Sequence, residues 1–148
     1  MSAIKKAVAL ATLKPSAITK LNQYISISMS TLRKEIGSTL YARFLELPDD
    51  ALIYGETGYV SYELLTEDER IRRDLETAQA YFLLYFAVPG LKEFEVGAVT
   101  LDKLSFGEGE LTPSKVSSLE QMQDIYWKMA MDICNDYSGT NGFGVSVI

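Results

Sequence analysis

The residue type that does most acid–base chemistry near neutral pH is missing, because the chain contains no histidine. Ser-His-Asp and Cys-His catalysis are therefore excluded, along with most zinc sites, which lean on imidazole. The one cysteine, Cys134, cannot by itself build a thiolate metal site or an internal disulfide. Carboxylates remain. Asp49-Asp50 follow Pro48, where Asp suits a turn, and Glu67-Asp68-Glu69 open an amphipathic stretch, where negative charge suits a helix start. A carboxylate hydrolase could be built from such pairs, but each has a local structural role that accounts for it. Neither GxxxxGKS/T nor GxGxxG occurs, and GFG and GEG are too short to cradle a phosphate. No calcium loop can be read either. The expectation is a protein with no catalytic, cofactor-binding or metal-binding residues, and not an enzyme.

The elements that would position any site are helices. TEDERIRRDLETAQAYFLLYFAVPG opens with a capping box, in which the Thr66 hydroxyl takes the Glu69 amide and the Glu69 carboxylate reaches back. Ile71, Leu75, Ala78, Phe82 and Tyr85 then recur at helical spacing as a core-facing stripe. Pro89-Gly90 should stop this helix. SSLEQMQDIYWKMAMDICNDYSG reads as a second long helix, with Ser117 and Glu120 as its capping box and Gly139 as its terminator. Its expected stripe is Leu119, Met122, Tyr126, Met129, Ile133 and Tyr137. Glu120, Asp124, Lys128, Asp132 and Asp136 sit four apart, as on a wetted side. Cys134 lies one residue from the stripe, which favours a buried thiol over a reactive one.

Upstream, residues 1–14 suit a short helix with Ala3, Ala7, Leu10 and Ala11 on one side, broken by Pro15. Ser16 can cap a following helix through Ile18, Leu21, Ile25, Met29, Leu32 and Ile36. The run Ile25–Met29 also fits strand alternation. The apolar spacing resumes after Gly37 through Leu40, Phe44 and Leu47. Pro48 then starts a loop carrying Tyr54, Tyr59 and Tyr62, which would either meet a partner or cover the edge of the core.

Between the two long helices, LKEFEVGAVTLDKLSFGEGELTP alternates apolar and charged residues. It suits a projecting hairpin or long loop at about 91–113, with Phe94, Val96, Leu101 and Phe106 as its contact residues. The Gly-rich, then β-prone end, SGTNGFGVSVI, suits strand addition to a neighbour through Gly142, Phe143, Val145, Val147 and Ile148. The alternative is a last strand paired within its own domain.

The 148 residues suffice for one domain with a real core. Their net charge of −6 is uneven. Lys5, Lys6, Lys14, Lys20, Arg33 and Lys34 make the first forty residues basic against Glu35 alone. These cations are scattered, which favours a solvated face over a nucleic-acid arm. Lys5-Lys6 before AVALATL imitates a secretory start, but Lys14-Pro15 cuts the apolar run short, so no cleaved signal is expected. AYFLLYFAV is too short to span a bilayer, and a soluble protein without membrane partners is expected.

The fold class that follows is mainly α: a helical bundle over 1–138 with the hairpin or loop between its last two long helices, and an extended tail over 139–148. The run ETAQAYFLLYFAVP, the Gly-containing excursion, the helix LEQMQDIYWKMAMDICNDY and the extended tail together resemble the head-to-tail adaptor (connector, or head-completion) proteins of tailed bacteriophages. The similarity covers about half the chain, from Thr66 onward, and rests on packing patterns. It implies a virion protein of the neck, soluble in the host cytoplasm before assembly. It further implies a homo-oligomeric ring of about twelve copies, docked beneath the portal protein and contacting the next neck or tail protein. DNA would pass through the lumen without sequence-specific binding. Two other classes stay open: a different neck or tail-completion protein, and a small helical interaction module.

Overall fold

The structure, a computed structural model, describes residues 2–48, 58–91 and 112–141, with side chains described over 3–48, 58–91 and 119–138. It is mainly helical. In order come α1 (Ser2–Leu10), a 3-10 turn (Pro15–Ala17), α2 (Ile18–Asn22), α3 (Ile25–Ile36), α4 (Ser38–Glu46), α5 (Glu67–Ala87) and α6 (Thr112–Asn141). Short 3-10 turns precede and follow α5 at Tyr62–Leu64 and Val88–Gly90.

The axis is α5. Its capping box forms as expected: Glu69 N donates to Thr66 Oγ1 (3.2 Å) and Thr66 N donates to Glu69 Oε1 (2.9 Å). The helix ends at Ala87, just before Pro89-Gly90. Ile71, Leu75, Ala78 and Phe82 are buried as read from the spacing, but so are Ala80, Leu83, Leu84 and Ala87 on other sides. An α-helix advances about 100° per residue, so such positions leave almost no face for solvent. Four elements divide that circumference. α3 approaches at Gln79, whose Nε2 donates to Ser28 Oγ (3.4 Å). α6 packs on Tyr81, Phe82 and Tyr85 through Tyr126 and Trp127. α1 joins the cluster of Ile4, Ala7, Leu83 and Leu84. Residues 59–62 run past Arg70, Arg73 and Asp74.

A helix buried all round must satisfy its own polar residues, and Glu76 is the severe case at 1% exposure. Arg72 Nε donates to its Oε2 (2.5 Å), and Lys6 Nζ lies 3.8 Å from Oε1. Arg72 also donates to Phe44 O (2.6 Å) and stacks over the Phe44 ring at 4.3 Å, so the same ion pair holds α4. Lys6, itself buried, donates to Arg73 O (3.5 Å) and holds α1.

Several local expectations are corrected. α1 ends at Leu10, well before Pro15, because Thr12 adopts φ 53°. Thr12 N donates to Ala9 O (3.3 Å) and Leu13 N to Val8 O (2.9 Å), the paired bonds of a Schellman cap. Leu10 points outward, while Ile4 and Lys6 take the inner side beside Ala3, Ala7 and Ala11. Ser16 caps nothing, since Pro15–Ala17 forms a 3-10 turn. The expected helix through residues 16–36 is split at Gln23-Tyr24, where Tyr24 turns into the core. The strand alternative for Ile25–Met29 is overturned. Ser28 Oγ donates to Ile25 O and Thr31 Oγ1 to Ile27 O (2.7 Å each), so the hydroxyls are satisfied inside the helix while Leu32 and Ile36 face the core. α4 resumes after Gly37, whose φ of 89° is one an L side chain rarely adopts.

In α6 the expected capping box of Ser117 and Glu120 does not stand at the helix start. The helix starts at Thr112, placing Pro113 in the first turn and Ser117 well inside. It also continues through Gly139 to Asn141, past the expected terminator and into the expected tail. Its buried seam is Met122, Tyr126, Ala130 and Cys134, with Met129 outside. α6 packs against α3 as well as α5, and small side chains at Ala130 and Cys134 let both helices come close. Of the hairpin or loop expected at about 91–113, residues 92–111 lie outside the described residues, while Thr112 and Pro113 already belong to α6.

Glycine at the left-handed position is expected to relieve strain, so Thr12→Gly should raise stability by roughly 0.5–1 kcal/mol in urea denaturation. Glu76→Gln should cost about 3 kcal/mol by removing the negative charge that Lys6 and Arg72 face. Adding Lys6→Met should recover part of that loss, and a double-mutant cycle measures it.

Candidate functional site

A polar cleft opens where α6 ends against α5. Asp74 sits on α5 one turn after Arg70, and Tyr137 comes from the last turns of α6. Tyr62 comes from the 3-10 turn that leads into α5. Both hydroxyls donate to the same oxygen, Asp74 Oδ2, at 2.7 Å from Tyr62 and 2.6 Å from Tyr137. Arg70 stacks over the Tyr62 ring at 5.2 Å and donates to Tyr62 O and Glu63 O. Arg43 of α4 pairs with Asp68 at 2.5 Å on the rim. The cleft has a volume of about 340 Å³, with Leu40 and Ile71 as its apolar floor. A smaller cleft of about 150 Å³ lies where Ile25, Met29 and Phe44 meet Arg72, Glu76 and Gln79.

The chemistry these groups can do is adhesive. Burial, then the hydrogen bond to Asp74, raises the pKa of Tyr62, and the same causes raise that of Tyr137. Both phenols stay protonated through neutral pH and serve as donors to Asp74. Tyr126 is pushed up to about 12 by burial, with a further contribution from Tyr81. Burial, then the charge of Glu35, pushes the Cys134 thiol up to about 12, so no thiolate nucleophile is on offer. The expectation of a buried cysteine holds. Among the described residues no group of three or more Cys, Asp or Glu is placed to hold a metal ion. Nor, among them, is any helix long and apolar enough to cross a membrane.

Of the loop tyrosines, Tyr59 lies under Arg73, whose guanidinium is 4.4 Å from the ring centroid. Tyr62 is partly exposed with its hydroxyl tied down. Tyr54, Asp49 and Asp50 lie outside the described residues. So do all the expected partner-binding residues: Phe94, Val96, Leu101 and Phe106 of the hairpin, and Gly142, Phe143, Val145, Val147 and Ile148 of the tail. The acidic ladder is where the spacing put it, with Glu120, Asp124, Lys128, Asp132 and Asp136 all exposed. What the spacing missed is the pairing of Asp74 with Tyr137, 63 positions apart, and the burial of Lys6 and Glu76. No protein family, curated protein or solved structure matches this chain.

The raised Tyr126 and Cys134 values fix a sign. Above the unfolded values, near 10 and 9, the folded chain holds more protons than the unfolded one, so stability falls as pH rises toward 12. Urea midpoints should be flat from pH 6 to about 8 and decline from about 9 upward. Thiol reagents at pH 8 should modify Cys134 at least about a hundred-fold more slowly in the native chain than in urea.

Proposed function

We propose that this chain is a structural protein of the phage neck, a head-to-tail adaptor that assembles as a ring beneath the portal and continues the DNA channel toward the tail. The observation that carries the reading, together with the resemblance from Thr66 onward, is α6. It is a helix of 30 residues, about 45 Å long, whose solvent side bears Glu120 and Asp124 and continues through Lys128, Asp132 and Asp136. An acidic wall repels phosphates and lets DNA slide instead of adhering. The portal would sit at one end of the ring and the next neck or tail protein at the other, with the tail after Asn141 reaching a partner. The groups around Asp74 and Glu76 then serve as internal fastenings of a subunit that carries out no reaction.

Native mass spectrometry and negative-stain electron microscopy over a range of concentrations test this. The expected result is closed rings with an open lumen that do not retain duplex DNA at physiological salt. A two-fold dimer with no larger species would instead identify a helical interaction module. Tight DNA binding with a steep salt dependence would sink the sliding channel.

A further inference from the structure

We infer that neighbouring subunits join through two unlike faces on opposite sides of α5, the outward stripe of α3 and the flank formed by Leu64 and the Met129 side of α6. The inference rests on the ring reading and supplies its contact. On α5, Gln79 meets α3 and Arg70 meets Tyr62, nine residues earlier. Nine residues are about 180° apart, so α3 and residues 59–64 lie on opposite sides of the axis. On α6, Ser138 Oγ donates to Glu35 O of α3 (3.1 Å), and Met129 is again nine residues earlier, facing away from α3.

Each face has exposed apolar side chains with charge beside them. On α3, Ile27 is 44% exposed, and Ser30 and Lys34 continue its line at spacings of three and four, with Arg33 adjacent. On the other face, Ile125 (44%) and Met129 (42%) are continued by Asp132 and Asp136 at the same spacings. Leu64, at 76% exposure, lies beside Glu63 on that side of α5. The charges are opposite in sum: on the acidic face Lys128 pairs with Asp132 at 3.2 Å while Glu63 and Asp136 add negative charge, and Arg70 and Arg73 beneath it are engaged with carbonyls of residues 60–63.

The two faces are also level. α3 and α6 both run antiparallel to α5: Ser28 meets Gln79 while Ile36 clusters with Ile71, and Gln123 meets Tyr85 while Tyr137 meets Asp74. They are therefore parallel to each other. The Glu35–Ser138 contact puts Ile27, eight residues before Glu35, at the height of Met129, nine before Ser138. Lys34 then stands at the height of Asp136. Rotation about an axis parallel to α5 sets Ile27 against Met129 and Lys34 against Asp136 with no sliding along the helices, and Ile125 and Asp132 each lie about one turn earlier along α6. Contacts between unlike faces close into a ring when the rotation divides the circle. The acidic ladder turns about 40° at each four-residue step, so Glu120 and Asp124, both exposed, lie about 180° and 140° round α6 from Met129, away from this contact.

Charge exchange tests this contact. Arg33→Glu with Lys34→Glu makes both faces acidic, and Glu63→Lys with Asp132→Lys makes both basic. All four residues are exposed, and circular dichroism checks the fold. In sedimentation velocity the unaltered chain should form the ring, each variant alone should be monomeric, and an equimolar mixture should recover the ring. Rings that persist in both variants would overturn these faces and leave the ring reading standing. Variants that lose the ring without recovery on mixing would also overturn them. An unaltered chain that remains monomeric, or stops at a two-fold dimer, would overturn both.

Discussion

A carboxylate deep inside a helix surrounded on every side is the constraint from which the arrangement follows. A carboxylate so placed needs counter-charges, and Arg72 and Lys6 reach Glu76 from different directions. Arg72 arrives already bound to the last turn of α4, and Lys6 arrives on α1. Two short helices with little intrinsic stability are thereby located on α5. Apolar packing alone would tolerate α1 at several registers, because small residues such as Ala3 and Ala7 make a smooth surface. The ion pair accepts one.

Long-range features divide from local ones in what could be read beforehand. The capping box at Thr66, the end of α5 before Pro89-Gly90, the resumption of helix after Gly37 and the burial of Cys134 depend on neighbours in sequence, and all were legible. The seam of α6 was displaced because a single-stripe reading assumes one packing partner, whereas α6 has two. The end of α1 was misplaced because Thr12 occupies a conformation for which Gly or Asn is the usual sign. Lys6 belongs to the cations expected on a solvated face, because nothing local announces a buried pair with Glu76, 70 positions away. In the candidate site, Tyr62 was noticed for its type, while its tie to Asp74 and Tyr137 depends on tertiary closure that spacing cannot encode.

The surface supports a division of labour. Internal polar groups are consumed by fastening: Asp74 by two phenols, Arg70 and Arg73 by carbonyls, Gln79 by Ser28. What stays outward is simpler, with scattered cations on α3 and carboxylates on α6. A subunit built this way has a rigid interior and sided exteriors, which suits a component that acts by position.

Trp127 is the single tryptophan, held between Phe82 and Tyr85 at 5.1 and 5.0 Å. The chain thus carries one optical reporter at the seam between its two longest helices. Its emission follows the separation of α6 from α5. Far-ultraviolet dichroism sums over every helix. A difference between the two signals during unfolding would therefore reveal the order in which the layers come apart, without any label.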